Sequence, residues 1–416
     1  MRAISALTLA CLLALAPEAT LSAQPPGKLP GKQRPPVVPV PVVQAPPAVP
    51  TMPLKDRVAR ITSALNDREF KDYYAEQDQL GLDLLRGDPA RLLAELEGTL
   101  RASPNDPHLI KLRALLFSQI HQAEKARADL EKVLTFEPRT VADCVLRTDV
   151  LTLLGQPEEA VKSLDSLIKA DPDNPVHLGF RSVALSHLNR LEDAMRDRER
   201  AIELLPGVAI SYYNRGRLHA DLGKFERAVA DYTRAIELFP TFPNFYQSRG
   251  NCYADHLGEP AAALADYTKA IELAPRHAAM PLYNRARLFK SQGRARDALV
   301  DYTAAIKLNP NHRDAYINRS NLHMESRRHD LAVADCNEAI RIDPDCATAY
   351  FNRGTAQFHL RRYDASMRDF TRAIELNPKW VAAYNCRAEV YQTLGDRARA
   401  DADQRRAEEL AANPDR

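Results

Sequence analysis

Nine prolines set a ruler along this chain: Pro104, Pro138, Pro172, Pro206, Pro240, Pro275, Pro310, Pro344 and Pro378. The step between them is 34 residues, stretched to 35 at two places. Proline has no N–H to donate and clashes with the turn before it, so each one ends a helix. Between consecutive prolines there is room for two helices of roughly a dozen residues and a turn. The stretches do show helical apolar spacing. Gly155, Gly223, Gly258, Gly293 and Gly395 stand at the turn between them, where a helix C-terminus favours a residue with positive φ. A helix pair this short cannot bury its apolar face alone, so the ruler dictates a stack in which each pair leans on the next.

Within each 34-residue step the same residue types return to the same places. Position 4 is aromatic in Tyr212, Tyr246, Tyr316, Tyr350 and Tyr384. Position 8 is small in Gly216, Gly250, Ala286, Ser320, Gly354 and Ala388. Position 20 is alanine from Ala126 to Ala400 with few breaks. Position 24 is aromatic in Tyr232, Tyr267, Tyr302 and Phe370, and position 27 is alanine from Ala201 to Ala407. Small residues at 8 and 20 let two helices approach, and the aromatic at 24 fills the wedge toward the next pair. This pattern resembles the tetratricopeptide repeat family. The resemblance implies an all-α, right-handed superhelical solenoid of about ten helix-turn-helix repeats. They are expected near 73–106, 107–140, 141–174, 175–208, 209–242, 243–277, 278–312, 313–346, 347–380 and 381–412, with a tail at 413–416.

The repeat at 73–106 is degenerate, with Leu80 at position 8. Residues 54–72 are expected to form an N-terminal capping helix that covers its open end through Val58, Ile61 and Leu65. The last helix carries Gln404 where other repeats carry an aromatic, as a polar end cap would.

The beginning of the chain is different in kind. Met-Arg precedes an apolar run from Ala3 to Ala16, too short to cross a bilayer comfortably, which reads as a signal peptide over 1–23. Lipid attachment at Cys11 is the alternative. Residues 24–53 are so rich in proline that they read as an extended, disordered linker. Together these place the protein in the periplasm or secreted space of a bacterium. The five cysteines beyond Cys11 include no Cys-x-x-Cys and no zinc spacing, and they read as small buried hydrophobes.

Arginine occupies position 7 in nine consecutive repeats, and aspartate occupies position 23 in eight of those nine. Ser163 is the exception. Charges that recur together with the same period read as structural ion pairs, among them Arg215 with Asp231, Arg319 with Asp335 and Arg353 with Asp369. A net charge of only +2 supplies no general field for nucleic acid.

In the family, positions 2, 5, 6, 9, 12 and 13 of the first helices face an inner groove. Position 6 is Asn214, Asn284, Asn318 and Asn352, a ladder of amides offering a donor and an acceptor at each rung. It resembles the asparagine ladder in the repeat portion of O-linked N-acetylglucosamine transferase, without a counterpart of that enzyme's catalytic part. Such a ladder suits the backbone of an extended peptide. Tyr213, Tyr283 and Phe351 at position 5 are candidate apolar anchors, and Gln247, Asn251 and Asn321 are further polar contacts. The competing reading is that these asparagines bond neighbouring helices. The lysines and arginine of the family's carboxylate clamp are missing: Ile317 stands at the first lysine place, and Ala382 and Cys386 stand at the last cation places.

No Walker A motif, Rossmann fingerprint or nucleophile elbow occurs, and the eleven histidines have no ligand spacing. The expectation is a non-catalytic interaction scaffold without metal or cofactor, binding a protein or peptide rather than nucleic acid. The alternatives are a structural spacer or oligomerisation element, and a glycan- or wall-binding module.

Overall fold

The computed structural model of the protein describes residues 52–120 and 122–412. The expected signal peptide, all but the last two residues of the linker and the tail lie outside the described residues. Among the described residues every long element is an α-helix and no strand is present. The chain divides into two compact units, one ending at Arg276 and one beginning at His277.

The first unit holds α1 (Leu54–Asn66), α2 (Phe70–Arg86), α3 (Pro89–Ala102), α4 (Pro107–Gln119), α5 (Ala123–Leu134), α6 (Val141–Leu153) and α7 (Pro157–Ala170). It continues with α8 (Pro175–His187), α9 (Leu191–Leu204), α10 (Ala209–Asp221), α11 (Phe225–Leu238), α12 (Pro243–Asp255) and α13 (Pro260–Leu273). From α4 onward successive helices pack in pairs, α4 with α5 through to α12 with α13. The second unit repeats the scheme with α14 (Ala279–Ser291), α15 (Ala295–Leu308), α16 (Arg313–Glu325), α17 (His329–Ile342), α18 (Ala347–His359), α19 (Tyr363–Leu376), α20 (Val381–Thr393) and α21 (Arg397–Ala412). The first helices of neighbouring pairs also touch one another, as α4, α6, α8 and α10 do in the first unit and α16, α18 and α20 in the second. These first helices therefore form the inner layer of each unit.

Local chemistry explains where the helices start and stop. Asp106 accepts hydrogen bonds from the His108 and Leu109 amides at 2.9 and 3.2 Å, and Pro107 follows it at the first helical position. Thr140 and Asp143 form a reciprocal capping box at the start of α6. Between the helices of a pair the chain enters the left-handed region at Gly155, Gly223, Gly258, Gly293 and Gly395. Asn189, Arg327 and Arg361 adopt the same conformation with φ of 58°, 56° and 59°, although a side chain there is strained. The turn geometry is set by the stacking of the pair and is imposed on whichever residue stands there.

Close approach at position 8 is literal. A Cβ added to Gly216 would lie 2.7 Å from Cε1 of Tyr232, and one added to Gly250 would lie 2.9 Å from Cε1 of Tyr267. Gly354 meets Phe370 in the same way at 3.0 Å. Where position 24 is the small Cys336, position 8 can be Ser320, and both are buried.

The start of the described chain differs from the expected end cap. Val58, Ile61 and Leu65 are buried, but α1 packs on α2 and reaches beyond α3 to α4 and α6. Asn66 Oδ1 accepts from the Ala142 amide at 3.0 Å, at the start of α6. The Tyr74 hydroxyl of α2 donates to the Pro175 carbonyl at 3.3 Å, at the start of α8. The segment thus lies along the inner layer rather than only across its open end.

Candidate binding face

The inner layer is held in shape by the arginines of position 7. Arg353 donates from Nε and Nη2 to the two carboxylate oxygens of Asp369 at 2.8 and 2.7 Å. The same fork joins Arg215 to Asp231 at 2.9 and 2.7 Å and Arg319 to Asp335 at 2.9 and 2.7 Å. Arg113, Arg181, Arg249, Arg285 and Arg387 repeat it with Asp129, Asp197, Asp266, Asp301 and Asp403. The pairs join the two helices of one hairpin. The remaining Nη1 then reaches the second helix of the preceding hairpin: Arg249 to Thr233, Arg319 to Thr303, Arg353 to Asn337 and Arg387 to Thr371, all within 3.1 Å. One guanidinium therefore fixes both the hairpin and its neighbour, which a lysine could not do. Arg215, Arg249, Arg319, Arg353 and Arg387 also lie over the position 4 tyrosine one turn earlier, Arg353 over Tyr350 at 5.4 Å for example.

The exception follows the same logic. Arg147 lacks a carboxylate because Ser163 replaces the aspartate, and its Nη1 donates instead to the Leu134 carbonyl at 2.8 Å. Bonding to Asp369 raises the Arg353 pKa against the effect of burial, so the guanidinium stays charged. Burial pushes the Asp301 carboxyl upward in the most enclosed pair, against the pull of Arg285.

The residues expected to face a ligand separate into two groups. Asn318, Asn352, Asn321, Tyr283, Phe351 and Asn251 are partly exposed, whereas Tyr213, Asn214, Gln247 and Asn284 are buried. Tyr213 is corrected outright. It is 2% exposed and packs its ring against Tyr232 and Phe245 at 5.6 and 5.1 Å, so it belongs to the core and cannot anchor a ligand. Tyr283 and Phe351 are also engaged by neighbours, Tyr283 with Tyr302 and His312, and Phe351 with Phe370 and Trp380. Those contacts occupy part of each ring, which leaves less of it for a sugar to stack on.

The rungs bond to one another by a simple rule. A position 5 tyrosine meets the polar residue at position 6 of the next first helix: Tyr213 with Ser248 at 3.3 Å, and Asn318 Nδ2 donating to Tyr283 at 3.1 Å. Ile317 has no hydroxyl to offer, and Asn352 turns its Nδ2 to Asn321 Oδ1 at 2.8 Å. The step after Phe351 carries Cys386, with which no such bond is needed. Asn251 Oδ1 accepts from the Tyr267 hydroxyl at 2.9 Å. Asn214 buries its Nδ2 without a partner among the described residues.

In the second unit this leaves Asn352 Oδ1 and Asn321 Nδ2, an acceptor and a donor on neighbouring first helices, without a hydrogen-bond partner among the described residues, and both residues are partly exposed. Trp380 and His312, which close the sides of the rungs, were not foreseeable from the repeat positions, since both lie in the loops between hairpins. Among the described residues no cluster of His, Cys, Asp or Glu is arranged to hold a metal, and no helix is long and apolar enough to cross a membrane. The five cysteines there are free thiols, and burial pushes Cys336 up to about 12.

Comparison with known proteins agrees with this architecture. Family profiles described as tetratricopeptide repeat match residues 209–242, 243–277, 283–345 and 320–410. No curated protein matches the chain significantly. Among solved structures, the Cut9–Hcn1 hetero-tetramer of the APC/C aligns with a TM-score of 0.51 at 14% identity, covering 81% of this chain and 69% of that one. At that identity the likeness is one of fold alone. MamA from Desulfovibrio magneticus RS-1 aligns at 18% identity and a TM-score of 0.39, over 42% of this chain and 97% of its own. YrrB, described as a TPR protein with an unusual peptide-binding site, aligns at 20% identity and a TM-score of 0.39, over 49% of this chain and 99% of its own.

Proposed function

We propose that this chain, which belongs to the tetratricopeptide repeat family, is a non-catalytic scaffold that binds an extended peptide segment along the inner face of α16 and α18. The observation that carries this reading is the unused pair Asn352 Oδ1 and Asn321 Nδ2. A peptide unit presents one N–H and one C=O, and the two amides can satisfy both. Thr355 lies one turn beyond Asn352 on the same helix and is also partly exposed. The apolar run from Ala3 to Ala16 supports export, and we take the setting to be the cell envelope or secreted space of a bacterium.

The test is a photo-crosslinking residue at Thr355, with a second at the exposed Arg368 on α19 as control, in the native cell. A defined adduct is expected at 355 alone, and it should disappear in Asn321→Ala/Asn352→Ala protein whose helicity is unchanged. Persistence of the same adduct in that variant would count against peptide binding through these amides.

A further inference from the structure

The inner layer of the first unit differs from that of the second. On α4, α6 and α8 position 6 is Leu112, Leu146 and Phe180, all buried, and the polar residues return only at Asn214 on α10 and Ser248 on α12. The three apolar residues share one core with Leu54, Val58, Tyr73 and Tyr74 of α1 and α2. The asparagine rungs of α16 and α18 stay half-exposed, so the apolar rungs coincide with the place where the chain's own N-terminal helices lie.

The fit buries apolar surface fully but leaves two buried polar side chains short of partners. Lys111 and Asp149, at groove positions 5 and 9, form an ion pair that is enclosed, with Asp149 2% exposed. Its Oδ1 has no hydrogen-bond partner. Arg198 of α9 is 0% exposed. It spends one Nη2 bond on the Gly179 carbonyl at 2.8 Å and leaves Nε and Nη1 without partners. Each unsatisfied buried donor or acceptor is a penalty carried by the docked arrangement. The segment leads into α3 through Gly87 and Asp88, and among the described residues its polar ties to the rest of the unit are few and peripheral to the apolar rungs: Leu54 N–H to Glu95, Asn66 to the Ala142 amide, Arg68 to Asp171 and the Tyr74 hydroxyl to the Pro175 carbonyl.

We propose that α1–α2 is a detachable ligand of the chain's own inner face, and that the partner replacing it is an amphipathic helix bringing a carboxylate to Arg198 and a hydrogen-bond donor to Asp149. Such a helix would present an apolar stripe to Leu112, Leu146 and Phe180 and complete the polar groups that stand open at Asp149 and Arg198. The α1–α2 pair then acts as a built-in competitor, shielding an apolar face until a better ligand arrives. The proposal concerns the first unit and does not depend on peptide binding at α16–α18.

The first experiment is hydrogen–deuterium exchange on the full chain. Amides of residues 54–86 are expected to exchange at least tenfold faster than those of α8 and α9, through an opening that leaves α4–α9 protected. Equal protection over residues 54–204 would overturn the proposal, because the segment would then be part of one cooperative core. The second uses full-length Tyr73→Ala/Tyr74→Ala protein and a labelled synthetic peptide of residues 54–86. The variant should bind the peptide at least tenfold more tightly than the parent protein does. A peptide with Tyr74→Glu should bind it more tightly still, and lose that gain when Arg198→Leu is added to the protein. No uptake by a folded variant, or weaker binding of the glutamate peptide, would overturn it. Should the double variant not fold, the exchange measurement on the parent protein decides alone.

Discussion

Arg353 grips both carboxylate oxygens of Asp369 across its hairpin while its third nitrogen holds Asn337 of the hairpin before. The side chains are 21% and 7% exposed, so the carboxylate is the more enclosed partner. Removing Arg353 leaves that carboxylate buried without its cation, whereas removing both charges leaves nothing stranded. Arg353→Met is expected to cost about 2–4 kcal/mol, and Arg353→Met/Asp369→Leu clearly less than the sum of the single changes. Denaturant titration of the four proteins of the cycle checks this, and strictly additive losses would sink the clamp interpretation.

Gly216 faces the Tyr232 ring so closely that a side chain cannot enter without moving it. Gly216→Val should destabilise by about 2–3 kcal/mol through overpacking, despite replacing a residue that is poor in helices. Adding Tyr232→Leu should recover part of the loss. Thermal unfolding of the single and double variants gives the answer, and an unrescued loss would point to a cause other than that contact.

Arg327 and Arg361 hold left-handed conformations that glycine adopts at the equivalent turns. Neither is needed there for its side chain's packing, since both are exposed. Arg327→Gly and Arg361→Gly are each expected to stabilise the second unit by about 0.5–1 kcal/mol. A drop in the denaturation midpoint for both would contradict the strain account.

Asn318 donates to the Tyr283 hydroxyl at 3.1 Å. Tyr283→Phe should cost about 1 kcal/mol, the usual net worth of one partly buried hydrogen bond. In an Asn318→Ala background the same change should cost almost nothing. Equal cost in both backgrounds would show that the ring, and not the hydroxyl, is what the rung uses.

His323 Nε2 lies 3.7 Å from Asp335 Oδ2, yet burial holds the imidazole pKa below its usual value, outweighing the pull of Asp335 and assisted by Arg319 and Arg328. The unfolded chain, titrating near about 6.5, takes up the proton first, so this histidine removes stability as pH falls through that value. His323→Phe, the residue type found at the equivalent Phe289, should flatten the decline in stability between roughly pH 7 and pH 5.5. An unchanged slope would mean that another buried histidine, such as His177, carries it.

Much of this molecule could be read from its sequence, and the reasons are local. Proline ends a helix by its own covalent structure, and a period of 34 residues leaves room for only one kind of pair. The arginine and aspartate ridges were legible because charges repeating together imply contact. Gly216 was legible as a close approach because nothing else is that small. What only the tertiary structure decided concerns which faces remain open. Tyr213 and Tyr283 occupy the same repeat position, but one is core and the other half-exposed, since their neighbours differ. The left-handed Arg327 and Arg361 show a turn dictated by stacking against residue preference. Leu112, Leu146 and Phe180 read as ordinary core until α1 and α2 are seen covering the face that asparagines line elsewhere. Periodicity specifies each hairpin and its neighbour, because those contacts recur with the sequence. It is silent about a non-repeating segment, whose place depends on apolar surface collected from three different hairpins.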